Sequence, residues 1–542
     1  MPSHYIQVGK LKIDQDLMDV ICPAAGYTPE LICPANGYEK IIPDYVPDAV
    51  IPVTETPLSD ESIVLICSSQ VGGFLSFYVF GGASGISYKI YGNGDVELES
   101  GNKTNGTFTY TFLDTMNGYE SASGHKYFKL EFKPIGSEHI IHARVSSTGV
   151  IYPIIEAYVN APYITTMNFH GSKLLRKVWL CETMDSLNNA TAYSVFKNTD
   201  SLEELTMPVS MNAAQNAEGW FNSSALPKIV MPESMIACTS FKYLFQYSKA
   251  KELTLPVHIP LMASLDNTFT DMLFIKRIVI PEDIPASIYL NNSFYNCPSL
   301  EEIILPSTFV ASSGQYAFYN LPKFKGVNYE FTLNIGEFVN HSFLAGNLPL
   351  IKKITFIGTL NTPTAHSNSM YGGNTLLEEI TLPSSMNGIV TFFTPSALYA
   401  LKKMNLPLSM TGITSGLTFG QSTTPNIEEI STCETWGTTA LAINGAYLKK
   451  LKRFDQPTMR VLSITFGQTV GSPGVLEYLD VDFSYLTGNV SLIYNNFSAE
   501  ELNRIFTALP TITERVLTVN NNPGTATCDR TIATAKGWTC VN

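Results

Sequence analysis

The amino-acid sequence predicts a mainly β fold with a minor α component: a solenoid of stacked coils, preceded by a β-sandwich and an extended N-terminal arm. A seven-residue cassette recurs thirteen times between residues 175 and 482, reading apolar, two mostly charged residues, apolar, any residue, apolar, then usually proline. Its closing positions fall at 181, 208, 232, 256, 281, 306, 330, 357, 383, 407, 433, 457 and 482, a period of 24 to 27 residues. That is the size of one supersecondary coil, which cannot bury its own apolar face and must stack on its neighbours. Ahead of the repeats, a strand-rich stretch and a proline-rich one follow different patterns.

Residues 1–60 read as an extended attachment arm. Eight of the 31 prolines lie here, and the unit Ile21-Cys22-Pro23-Ala24-Ala25-Gly26-Tyr27 returns as Ile32-Cys33-Pro34-Ala35-Asn36-Gly37-Tyr38. Spaced prolines favour polyproline-like chain over helix or central strand. Such a chain is either a flexible linker or an arm that docks on partner protein; isoleucine and tyrosine are poor linker residues, so docking is the expectation.

Residues 61–159 read as a β-sandwich. Ile63–Cys67 and Phe74–Phe80 are apolar strands joined by a glycine-containing turn. The stretch from Ser62 to Tyr88 carries no formal charge and is long enough to span a bilayer. However, its glycine pairs at 72–73 and 81–82 and its polar run at 68–70 fit two strands better, and no membrane span is expected. Tyr88–Tyr91, the turn Gly92-Asn93-Gly94-Asp95, Val96–Leu98, Thr107–Phe112, Tyr127–Phe132 and Ile140–Val145 continue the series. Short strands at that spacing indicate a sandwich. The Ile90-Tyr91-Gly92-Asn93-Gly94-Asp95 turn resembles the PKD domain, an immunoglobulin-like spacer, on that one loop.

Residues 160–497 carry the solenoid, opening on a short coil, Ile164–Phe169. A period of this size with an L-x-x-L-x-L core marks a leucine-rich-repeat solenoid. Apolar residues inside each cassette alternate as a strand requires, and the closing proline has no N–H to give to a sheet. Phe196, Trp220, Phe269, Phe294, Phe318 and Tyr371 each lie six residues before a cassette and are expected to fill the interior behind the strands. Residues 498–542 form a C-terminal cap. Ser498-Ala499-Glu500-Glu501 is a capping box, Leu502, Ile505, Phe506 and Leu509 share a helical face, and Val516–Val519 forms a strand. A small helix to Lys536-Gly537 is expected to end the chain.

The cassette and its preceding aromatic are clearest from Asn292-Ser293-Phe294-Tyr295-Asn296-Cys297 to Leu300-Glu301-Glu302-Ile303-Ile304-Leu305-Pro306. It resembles the BspA-like (treponemal-type) leucine-rich repeats. The ending from Pro523 through Cys528 and Asp529 to Trp538 resembles the terminal cap of such proteins in gut Bacteroidales and their phages. The resemblance implies a recognition protein and names no ligand. Cellular members are surface adhesins that usually carry an export signal; Met1-Pro2-Ser3-His4 leads straight into the charged Lys10–Asp14, which favours the phage branch.

The two residues after each cassette's first apolar position form a charge ladder. They read Glu378-Glu379, Lys402-Lys403, Glu428-Glu429 and Lys452-Arg453 in successive coils, so signs alternate down the stack. Mutual neutralisation is the expected role, with ligand contact on variable loops or the β-domain. The formal charge is −13 without a basic tract, which argues against nucleic acid. Nine cysteines without a C-x-x-C pair read as buried thiols; Cys528 and Cys540 could bridge in the cap. His139 and His142 are three apart in a probable strand and are not expected to bind a metal together. No catalytic, cofactor or metal-binding motif is present, and no binding residue is singled out.

The expected function is therefore non-enzymatic: a phage virion structural protein, tail fibre or appendage, recognising the host surface. Its arm would join other virion proteins, and its solenoid would meet a host surface protein or glycan, in a homo-oligomer assembled in the host cytoplasm. The alternative is a bacterial cell-surface adhesin.

Overall fold

The computed structural model describes residues 6–8, 11–13 and 60–541, except 122–123, 147–151, 186, 188–193, 286, 328–330, 338–344, 361–373, 388–397, 412–416, 419–425, 447 and 468–472. The arm's Ile-Cys-Pro units and Tyr371 lie outside the described residues. Within the arm, Ile6–Val8 pairs antiparallel with Leu11–Ile13. The chain is mostly β with few helices, and stacked coils run from about residue 142 onward. It packs as two compact units, residues 1–261 with 271–275 and residues 262–270 with 276–542.

The first unit opens on two sheets. Ser62–Ser68 lies between Lys126–Pro134 and Ile154–Asn160, with Ile86–Tyr91 and Glu97–Lys103 beyond Lys126–Pro134. Phe74–Phe80 lies in the other sheet, between Gly106–Thr111 and His142–Val145. The uncharged stretch thus holds two full strands in different sheets and the start of Ile86–Tyr91, with Gly73 between the first two in a left-handed conformation (φ +57°). No helix among the described residues is long and apolar enough to cross a membrane. The sheets meet through aromatic rings: Phe77 and Phe108 lie 6.0 and 5.2 Å from Phe132, and Phe112 lies 5.0 Å from Phe128.

Both sheets run on into the coils. Ile154–Asn160 pairs antiparallel with Ser62–Ser68 and parallel with the first cassette strand, Lys177–Leu180, which pairs in turn with Glu204–Thr206. His142–Val145 likewise pairs parallel with Thr166–Asn168. The expected first coil, Ile164–Phe169, thus places its strand Thr166–Asn168 in the second sheet, while Ile154–Asn160 precedes the first cassette strand in its own row. Inside, Phe169, Phe196, Phe221 and Phe245 stack in sequence at 6.3, 5.5 and 5.8 Å. Phe221, not the equally buried Trp220, occupies the row in its coil.

In the second unit, parallel strands follow the cassettes. Arg277–Val279 pairs with Glu302–Ile304, and Lys353–Leu360 with Glu379–Thr381, which pairs with Lys403–Asn405. Phe269, Phe294 and Phe318 stack at 5.3 and 5.2 Å. These strands are only three residues long where proline follows closely, as Pro306 follows Ile304. The helix Ala499–Ala508 buries Leu502, Ile505 and Phe506, and Ser498 accepts the Glu501 N–H. The box is half made, since the Glu501 carboxylate turns to Arg504 and the Leu479 N–H. The short helix Thr531–Thr534 does not end the chain: Trp538–Val541 follows as a strand on Arg515–Thr518.

Candidate functional site

Most of the three-residue cassette strands bury their middle residue and turn its two neighbours outward, as with Ile229 between the exposed Lys228 and Val230, while Leu205 and Leu253 are only partly covered. The second charged residue of each cassette therefore stands on the outer face of the sheet, and the first stands just before the strand. Parallel pairing in register places residues of successive coils side by side about 4.8 Å apart. In the first unit Arg176 meets Glu203 at 2.6 Å, Lys177 meets Glu204 at 3.2 Å and Lys228 meets Glu252 at 3.3 Å. In the second, Arg277 meets Glu302 at 2.9 Å, Lys325 meets Glu301 at 2.5 Å and Lys402 meets Glu378 at 2.8 Å. Lys353–Glu379 and Lys403–Glu429 follow at 3.4 and 3.0 Å.

The expected alternation is thus realised as two rows of ion pairs. Hydrogen bonds from Lys325 and Lys402 hold the carboxyls of Glu301 and Glu378 below the usual carboxylate range. The Glu378 carboxylate in turn holds Lys402 above its ordinary value. Exposed pairs contribute little each, but they neutralise most of the charge along these rows. At the row's later end tyrosine replaces the second acid. Arg453 and Arg504 both lie over the Tyr478 ring, 3.8 and 4.8 Å from its centre, beside a cavity of about 450 Å³ that Lys452 and Glu500 also line.

One constellation has no signature in the sequence. Ser69, Asp114 and His125 converge from three separate turns and loops beside the N-terminal sheets. Asp114 sits in the middle: it accepts the Ser69 hydroxyl proton and lies 3.6 Å from Nδ1 of His125, while the Lys126 N–H donates to Ser69 Oγ at 2.8 Å. A serine nucleophile needs the imidazole, not the carboxylate, to take its proton. The arrangement instead ties Asp114 and Ser69 to the Lys126 strand. His139 bonds Glu61 at 2.7 Å and stacks on Tyr163, whereas His142 lies in a strand against Phe80. Among the described residues no group of three metal-ligating side chains assembles. Cys67, Cys181, Cys238, Cys297 and Cys433 are buried, and Cys528 and Cys540 are half-exposed and unbridged.

The turn side of the coils is equally regular. Asn198, Ser223 and Tyr247 in the first unit, and Asn296, Asn320 and Asn347 in the second, all have φ between +55° and +60°. Asparagine tolerates this left-handed backbone. In the second unit these amides are linked across coils: Asn320 donates to Asn296 at 2.5 Å and Asn347 to Asn320 at 2.6 Å.

Compared with known families, the chain matches the BspA type leucine rich repeat region in six copies, over residues 155–265, 218–344 and 288–424. No curated protein and no solved structure matches it. Residues 155–424 thus carry BspA-type leucine-rich repeats, a repeat type that is typically a non-catalytic binding scaffold and often found in surface adhesins.

Proposed function

We propose that this chain is a non-enzymatic recognition protein that works as a cell-surface adhesin. The observation that carries the reading is the run of BspA-type coils. Its parallel sheets present regular rows of side chains, while the interior is filled by phenylalanine. Such a scaffold supplies a large rigid surface at little entropic cost on binding. The expectation of a phage tail fibre or virion appendage finds no support in the fold or in the family match. Within this proposal residues 1–60 attach the protein to its carrier or to further copies of itself, and residues 61–159 serve as an immunoglobulin-like spacer. Residues 160–497 present the recognition surface and 498–542 close it.

Two measurements test the reading: antibody labelling of intact producing cells, and attachment of host cells to the immobilised full-length chain. Labelling without permeabilisation, together with attachment above that of an inert protein, is expected. Labelling that requires permeabilisation, or no attachment, overturns it.

A further inference from the structure

We propose that the turn side of the second unit holds a binding site for neutral glycans, built on Tyr295, Tyr316 and Tyr319. This rests on the adhesin reading and names its ligand class. The Tyr295 and Tyr319 rings occupy successive coils, 5.7 Å apart and within 9° of parallel. Tyr316 stands across both, at 6.2 and 5.6 Å and nearly perpendicular to each. All three are half-exposed, whereas the neighbouring Phe294 and Phe318 are fully buried and stacked on each other. The core is therefore complete beneath a second, outer aromatic layer.

Tyr316 also occupies a position that disfavours it. Its φ is +53°, where earlier turns of the same unit place Asn267 at +55° and Asn292 at +52°. Asparagine suits that backbone and a bulky ring does not. Tyr243, Tyr247 and Tyr494 share this backbone, so what sets Tyr316 apart is strain combined with two more exposed rings packed against it.

The chemistry around the rings selects the ligand. Residues 284–300 and 303–322, which carry the three rings, contain no Asp, Glu, Lys or Arg, so these segments themselves offer a charged partner no counter-ion. A cage for a quaternary ammonium needs rings spaced around the cation. Here the rings touch one another and leave no such gap. What remains is an L-shaped aromatic surface with fixed amides alongside. The C–H face of a sugar packs on the electron-rich ring faces. Beside them Asn320, adjacent to Tyr319, spends one N–H and one acceptor site on the ladder. Its second N–H and second lone pair stay available to sugar hydroxyls.

The test is affinity electrophoresis of the full-length chain through gels containing dextran, laminarin, mannan or galactan. At least one polymer is expected to retard the protein. A Tyr295→Ala/Tyr319→Ala variant, checked for an unchanged far-UV spectrum and cooperative melting, should bind at least tenfold more weakly. Tyr295→Phe/Tyr319→Phe, which keeps the stacking faces, should retain most of the binding. Retardation by none of the four polymers, or undiminished retardation of the folded alanine variant, overturns the proposal. Host-cell attachment that persists in the alanine variant overturns this site while leaving the adhesin reading standing.

Discussion

Phe294 offers the sharpest test of how the coils are held together. Its side chain is fully buried, with its ring 5.3 Å from Phe269 and 5.2 Å from Phe318. A buried phenylalanine removes about 150–250 Å² from water, which at about 25 cal/mol per Å² corresponds to roughly 4–6 kcal/mol for the whole side chain. Alanine keeps only the Cβ share of this. Phenylalanine-to-alanine changes in closed cores fall at about 3–5 kcal/mol, and we expect Phe294→Ala to lie in that range. Phe294→Leu keeps most of the apolar volume but loses both ring contacts, so it should cost about 1–3 kcal/mol. Urea titration gives the difference, provided that the denaturant slope stays constant. Hydrogen exchange should place the added opening in the coils around residue 294, because each coil is coupled only to its neighbours. A loss below about 1 kcal/mol for Phe294→Ala would refute the argument, since the ring could not then be sealing a dry interior.

The ladder and the thiols make further predictions. Reversing Glu378 and Glu379 to lysine should lower the melting temperature modestly and less so in high salt, and reversing Lys352, Lys353, Lys402 and Lys403 as well should restore part of the loss. If the six-site variant melts no higher than the first, the rows do not neutralise each other. Because Glu301 and Glu378 have depressed values when folded, their contribution is present above the ordinary glutamate range and lost as pH falls through the folded value. Melting curves should therefore be flat from about pH 5 to 8 and decline below about pH 4. Burial pushes the Cys238 and Cys433 thiols up to about 11, so native labelling at neutral pH followed by peptide mapping should find Cys528 and Cys540 modified and these two untouched.

The features legible in the sequence are those enforced once per coil. A cassette such as Leu377 to Pro383 must present an apolar middle residue inward and charges outward, so spacing alone gave the strands, their parallel register and the opposed signs. Rows set by a single contact were less legible. Trp220 and Phe221 are adjacent and both buried, and only the ring spacing shows that Phe221 continues the stack. The tyrosine surface was missed because it depends on the handedness of the turn at Tyr316, which residue type does not reveal for so bulky a side chain. Ser69, Asp114 and His125 are separated by up to 56 residues, and no local pattern joins them. The last strand was missed because Trp538–Val541 follows a glycine that reads equally well as a chain end.

The continuity of the sheets at Ile154–Asn160 has a mechanical consequence. A coil at the end of a stack is held by one neighbour through short strands, so under tension its bonds can break a few at a time. Ile154–Asn160 instead pairs antiparallel with Ser62–Ser68 over six positions, with one bulge after Ile154, and in parallel register with Lys177–Leu180 on the other side. Bonds in such a long ladder share a load applied along the strands and fail together. When the first unit is stretched, its later coils should unravel before the two N-terminal sheets yield, lengthening the unit while those sheets stay folded. A protein gripping a surface in flow would gain by this, since the extension absorbs a jolt that would otherwise fall on the adhesive contact.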